Sequence, residues 1–321
     1  MTTNRKPRIA IACQGGGSHT AFTAGALTRI LKQHGDGFDI VALSGTSGGA
    51  ICAFLTWYGL LHGDKQEAEN RLIGFWNDNT ANDVWDSLVN DIMVWAARWR
   101  HALPFPEISP YDLPTIGQDK LRALLKRHAD FTQIEMLVAD DSPGLIVGAV
   151  DVLSGGFKSF HGRQVTLDAI LASTAIPTLF RAVHVNGSVY WDGLFSQNPP
   201  IRDLTDFRPD EIWVIQINPQ RRRREPKSVE DISDRRNELS GNLSLEQEIH
   251  FIEKINELVD QELLKTDKYK HITIERIVIE RDLEYFSKID RSPELVKDLI
   301  DHGADQADRF LQQRSAILAP T

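Results

Sequence analysis

Cysteine is almost missing from this chain of 321 residues. Its two copies, Cys13 and Cys52, form no C-x-x-C and no paired spacing, so neither a disulfide framework nor a zinc site is expected, and a reducing compartment fits. No apolar run stays unbroken for the length of a bilayer. Ile40 to Leu61 carries no formal charge, but Gly45, Thr46, Ser47, Gly48 and Gly49 divide it into a strand, a turn and a helix of about 13 residues. The apolar start, Ile9 to Cys13, is too short for the core of a secretion signal and reads as a first strand. No repeat of fixed period occurs. Basic charge is not in excess either: 36 Lys and Arg stand against 45 Asp and Glu, a net charge of -9 that opposes general attraction to nucleic acid. Both nucleotide fingerprints fail. Thr20 stands where G-x-G-x-x-G counted from Gly15 needs glycine, and there is no G-K-[ST].

What is present is the composition of a folded chain, with 41% hydrophobic and 25% charged residues. Arg8 to Cys13 reads as a buried strand, followed by the loop Gln14 to Ser18 and a helical pattern from about His19 to Gln33. Ile40 to Leu43 is the next strand, so the segment is a βαβ unit with parallel pairing. Further strand windows are Leu145 to Val150, Val183 to Val185, Val189 to Trp191, Ile212 to Ile217 and Ile272 to Ile279. Strands alternating with helices predict a layered α/β domain. Beyond Pro219 the stretch RRRREPKSVEDISDRRNE reads as a charged loop, and Leu245, Ile249, Ile252, Ile255, Val259 and Leu263 mark an amphipathic helix.

Gly45-Thr46-Ser47-Gly48-Gly49 satisfies G-x-S-x-G, in which a strand turns sharply into a helix and lifts a serine hydroxyl above the sheet. Gly45 and Gly49 supply the room that elbow requires. Ser47 is therefore the candidate nucleophile; the plainer reading is a small residue in a glycine-rich turn. The parallel crossover brings the first loop to the same sheet edge, so Gly15, Gly16 and Gly17, together with Gly48 at the helix start, form the candidate oxyanion hole. No histidine stands near the end of a late strand: His271 begins one and His302 sits in a helical run. Asp192, after the Asn186-Gly187 hairpin and before Gly193, is the candidate base, with a common Asp-Gly turn as its plainer reading. Asp151 is a second strand-end carboxylate that equally suits a turn.

In this order the pieces resemble the patatin-like phospholipase family: a glycine-rich oxyanion loop, a G-x-S-x-G elbow on the second strand and a later D-G motif. QGGGSHTAFTAGAL carries that family's later Gly-x-Leu at Gly25 and Leu27. ILASTAIPTLFRAV is similar to its A-S-x-A-x-P-x-x-F stretch through Ala172, Ser173, Ala175, Pro177 and Phe180, and SQNPP follows the D-G motif. The likeness covers roughly residues 8 to 220. It implies a three-layer α/β/α fold with a mainly parallel central sheet, and a serine acyl hydrolase in which a Ser47-Asp192 dyad cleaves lipid carboxyl esters, of phospholipid or lysophospholipid, through an acyl-enzyme. That chemistry requires no metal and no other cofactor. There are two departures from the family's pattern: His19 and Thr20 stand where many members have a basic residue and then glycine, and Leu194 follows D-G. His19 reads as a solvent-exposed helix start rather than a headgroup contact.

The expected organisation is a catalytic domain over 1–220, with a tryptophan-rich helical insertion at about 62–120, and a helix-and-strand extension over 221–321 packed on it. In the insertion Val84, Leu88, Ile92, Trp95 and Trp99 share a helical stripe that suits either a lid or a helix packed over the sheet, and Trp76 and Trp85 lie nearby. Arg221 to Arg224 suits a solvated loop or an anionic headgroup. The helix from Leu245 onward is expected to dock on the core, with self-association and membrane contact as its other uses. The partners that follow are a lipid ester and, peripherally, a membrane; the expected location is cytoplasmic. Two functions of other classes stay open: an acyltransferase using the same serine, although Thr46 replaces the histidine of G-H-S enzymes, and a non-catalytic membrane-associated protein.

Overall fold

The computed structural model describes residues 5–81, 86, 90, 109–177, 179–222, 224–281 and 283–318. Strand β1 (Arg8–Cys13) alternates as its sequence requires. Ile9, Ile11 and Cys13 face one side of the sheet and Ala10 and Ala12 the other, and all five are fully buried. Around it β2 (Asp39–Thr46), β3 (Gly144–Asp151), β7 (Glu211–Gln216) and β8 (Thr273–Val278) run parallel. Three strands complete the eight-stranded sheet in antiparallel pairings: β4 (Phe157–His161), β5 (Val183–Val185) and β6 (Ser188–Asp192).

Helices α1 (Ala21–Gln33), α2 (Gly48–Leu61), α3 (Lys65–Asn79) and α7 (Pro293–Leu318) bury their apolar sides on the face that carries Ile9, Ile11, Leu43 and Trp213. Gly25 of α1 and Gly303 of α7 mark their crossing. A Cβ on Gly25 would strike the Ile300 carbonyl, and one on Gly303 the Phe22 carbonyl, so the two backbones touch. The opposite face, with Ala10, Ala12, Ala42 and Ile146, is covered by α6 (Val229–Asp260) through Leu245, Ile249 and Ile252. Helices α4 (Ile116–His128) and α5 (Leu167–Ser173) complete the elements used below. The result is the three-layer α/β/α arrangement with a mainly parallel sheet.

The strand windows match observed strands to within one residue beyond either end, with one omission. Phe157–His161 is β4, five residues with mixed burial that pair with β3 just after the Asp151 turn, too short and too polar to stand out. The charged stretch read as a loop is helical from Val229, capped by Ser228 Oγ, which accepts from Asp231 N–H at 3.0 Å. The helix therefore starts sixteen residues before Leu245. Its inward positions there are polar: Asp234 and Glu238 are 2% and 3% exposed, so burial keeps a helical period that hydrophobicity does not. The amphipathic part packs Leu245, Ile249 and Ile252 into the cluster on that face of the sheet. In the tryptophan-rich insertion Trp76 is buried and donates to Cys52 Sγ at 3.4 Å, whereas Val84, Trp85, Leu88, Ile92, Trp95 and Trp99 lie outside the described residues.

Candidate active site

Strand β2 ends at Thr46, and the chain turns into α2 within one residue. Ser47 has φ 57° and ψ −132°, a strained backbone for a residue with a side chain. The elbow is tight enough that a Cβ on Gly45 would lie 2.5 Å from the Gly49 carbonyl oxygen, and one on Gly49 would strike the Cys13 carbonyl. Ser47 is held from outside the elbow as well. Its N–H donates to Ser173 Oγ at 3.0 Å, and Ser173 Oγ donates onward to the Gly148 carbonyl at 2.6 Å. This gives the serine of ILASTAIP a task that no local pattern discloses.

Asp192 closes β6, fully buried. Register brings it to Ser47: Thr46 pairs with Gly148 and Asp192 with Ala149, so both residues border the same stretch of β3. Its N–H donates to Ala175 O at 3.0 Å, so the same ILASTAIP segment braces both members of the pair. Oδ1 accepts from Leu194 N–H at 2.8 Å. Oδ2 is buried without a hydrogen bond of standard geometry. Burial pushes the Asp192 carboxyl up to about 7, against the opposing pull of the Ser47 hydroxyl and the Leu194 N–H. The Ser47 hydroxyl thus lies close enough to the Asp192 carboxyl to favour its ionised form.

The glycine loop runs beside the elbow. Gly15 N–H is already committed to Asn198 Oδ1 at 2.6 Å, which removes it from the donors expected to face an oxyanion. Gly16 N–H meets no acceptor among the described residues. At the start of α2, Ala50 and Ile51 N–H both turn back to Ser47 O, and Gly48 N–H meets no acceptor among the described residues. Gln14, fully buried, anchors the loop from below: its Oε1 accepts from Ile217 and Asn218 N–H, and its Nε2 donates to Asn242 Oδ1 at 2.9 Å. Asn198 and Asn242 are binding-loop supports that the sequence reading missed. Asn198 lies in the quoted SQNPP, but its partner is far away in sequence.

Three further positions are placed by their contacts. His19 is not solvent-exposed but 3% exposed, paired through Nε2 with Ser287 Oγ at 2.7 Å, and burial pushes it down to about 3. It is a neutral wedge and brings no positive charge to the site. Asp151 accepts from Leu153 and Ser154 N–H, each at 3.0 Å, and caps the turn before β4. Of the arginine run, Arg221 and Arg224 are exposed, Arg223 lies outside the described residues, and Arg222 is bound to Glu238 through both oxygens and to Asp234. Lys288 joins this buried cluster at Asp234 Oδ1, 2.7 Å, while its carbonyl packs on Gly17.

A family model described as patatin-like phospholipase matches residues 11–205. A search of curated proteins finds no match. Among solved structures the chain is similar to VipD from Legionella pneumophila, at 12% identity and a TM-score of 0.47, covering 96% of this chain and 67% of that one. It is also similar to the type III effector protein ExoU, at 15% identity and 0.40, covering 97% of this chain and 54% of that one. A third likeness is to the ExoU-SpcU complex of the type III secretion system of Pseudomonas aeruginosa, at 15% identity and 0.39, with 97% and 52% covered. The chain thus spans about half the length of ExoU. With well over half of its residues matched by that one family model, elbow and D-G motif included, the chain belongs to the patatin-like phospholipase family of lipid ester hydrolases.

Proposed function

We propose that this chain hydrolyses the carboxyl esters of phospholipids or lysophospholipids, with Ser47 as nucleophile and Asp192 as its base. One observation carries the reading: a fully buried carboxylate, lifted to about 7, facing a serine on a strained elbow. A carboxylate near its ordinary value of about 4 is a poor base for a hydroxyl, whereas one near 7 matches the imidazole of a histidine, whose ordinary value is about 6.5. Burial does here what a different side chain does in Ser-His enzymes.

The Asp192 carboxylate accepts the Ser47 proton as Oγ bonds to the ester carbon and the carbonyl oxygen takes up negative charge. Gly16, Gly17 and Gly48 N–H groups, with the positive end of α2, stabilise that oxygen. Collapse breaks the carbon–oxygen bond to the alcohol, which leaves with the proton from Asp192, and the acyl group stays on Ser47. Water then attacks the acyl carbon, gives a proton to Asp192, and the fatty acid departs as Ser47 regains its proton. The encounter with lipid is peripheral in this reading; no described helix is long and apolar enough to cross a membrane.

The test is ester hydrolysis by the full chain in excess chelator, on a short-chain chromogenic ester and then a phospholipid panel, beside Ser47→Ala and Asp192→Asn. Loss in both variants with release of free fatty acid by the wild type is expected. Turnover surviving Ser47→Ala sinks the assignment, and product appearing only with an acceptor alcohol makes the protein an acyltransferase.

A further inference from the structure

Helix α6 lies beyond residues 11–205, the part matched by the family model. Its inner face nevertheless reaches both loops of the site. Asn242, 5% exposed, accepts from Gln14 Nε2 at 2.9 Å, and its own Nδ2 donates to Pro219 O at 3.1 Å. Gln14 immediately precedes Gly15, so this amide pair ties the start of the glycine loop to the helix. Two turns further on, Glu248 collects three donors from the loop after Asp192: Gln197 Nε2 on Oε1 at 2.6 Å, and Ile201 and Arg202 N–H on Oε2 at 2.7 and 2.9 Å. Gln197 in turn accepts from Thr46 Oγ1 at 2.6 Å, one residue before the nucleophile. Immediately before Asn242, Gly241 lies against Asn198 and Leu194, where a Cβ would come within 3.0 Å of Asn198 Nδ2.

We propose that Asn242 and Glu248 are positioning residues for the reaction: Asn242 sets the oxyanion loop through Gln14, and Glu248 sets the Asp192 loop and, through Gln197, the elbow. The assignment rests on the Ser47-Asp192 reading for what those loops do. A carboxylate with three donors and an amide with both ends used fix geometry more strictly than apolar docking does, because each displaced group would be left unpaired. Leu245, Ile249 and Ile252 seat α6 on the sheet, and Glu246 pairs with Arg276 of β8. The contacts of Asn242 and Glu248 go instead to the two loops.

The experiment compares Asn242→Ala, Glu248→Ala and Glu248→Gln in the full chain on a short-chain chromogenic ester, on both sides of pH 7. Rates are normalised to the fraction of Ser47 that a fluorophosphonate probe titrates. Asn242→Ala is expected to lower kcat about 10- to 100-fold at unchanged KM and unchanged pH midpoint, as for a misplaced oxyanion donor. Glu248→Ala is expected to lower kcat similarly and to move the midpoint downward, since a loosened loop admits water to Asp192. Glu248→Gln, which keeps one acceptor oxygen, is expected to restore most of the rate. Rates within twofold of wild type per titrated serine, or losses that vanish on that normalisation, overturn the proposal. If the wild type itself cleaves no ester, the functional reading fails, and hydrogen exchange decides the loop assignment separately. At least tenfold faster exchange of Gly15 N–H in Asn242→Ala and of Leu194 N–H in Glu248→Ala upholds it, and unchanged exchange overturns it.

Discussion

Ser47 and Asp192 are held by neighbouring residues of one strand: Thr46 is in register with Gly148, and Asp192 with Ala149. The backbone positions of the proposed nucleophile and base are thus fixed by the centre of the sheet. That leaves the electrostatic state of Asp192 as the variable part of the pair.

The first expectation concerns rate against pH. With Asp192 pushed up to about 7 by burial, only the ionised fraction can accept the Ser47 proton. kcat/KM should rise about tenfold per pH unit below that value and level off above it. A profile on the chromogenic ester with its midpoint near the ordinary carboxylate range would remove Asp192 from the role.

The second concerns stability. The folded-state value of Asp192 lies above its unfolded value of 3.8, so ionising it costs the folded state. The penalty is absent below the unfolded value, grows as pH rises and is complete above about 7. Asp192→Asn should therefore raise the unfolding free energy at alkaline pH by up to roughly 4 kcal/mol, with the gain fading as pH falls toward 4. Urea titrations of both proteins at several pH values check this.

How far the chain could be read in advance depends on whether its signals are local. The strand, glycine run, helix and elbow of residues 8–61 repeat their periodicity in consecutive residues, and Asp192 is marked by a hairpin before it and a glycine after it. Ser173, Asn198 and Asn242 act on partners far off in sequence, so their residue types are visible and their tasks are not. The first half of α6 was hidden for a different reason. Hydrophobic periodicity assumes that buried positions are apolar, and Asp234 and Glu238 break that assumption because Arg222, Arg235 and Lys288 neutralise them. His19 is likewise buried against a partner far off in sequence, Ser287, with Lys288 and Asp234 nearby.

A third expectation follows from Ser173. Ser173→Ala leaves the Ser47 N–H without an acceptor and the Gly148 carbonyl without that donor, both in the interior. Stability should fall by about 1–3 kcal/mol. Because the lost contact is the backbone of the proposed nucleophile, kcat should fall at least about tenfold while KM holds. Thermal unfolding and steady-state kinetics read the two effects separately.

A fourth concerns the charge cluster beneath the glycine loop. Arg222→Met removes the guanidinium that binds both Glu238 oxygens and reaches Asp234, leaving Lys288 and Arg235 as their cations. The loss should be about 3 kcal/mol, at the lower end for a broken buried pair since part of the positive charge remains. Equilibrium unfolding in urea checks the value, and a change below about 0.5 kcal/mol would mean that the cluster is in effect solvated.

The alanines under α6 have a bearing beyond the core they fill. Ala10, Ala12 and Ala42 make the sheet thin on that side, and they share one buried cluster with Leu245, Ile249 and Ile252 of the helix. Spacing between layers is thereby converted into alignment of the reacting groups. A single added methylene or two at position 42 would act as a shim, raising the helix and, with it, the loops it grips. A residue with no polar atom in its side chain and no contact with substrate would then set the rate, and mutational surveys that look only near the serine would miss it.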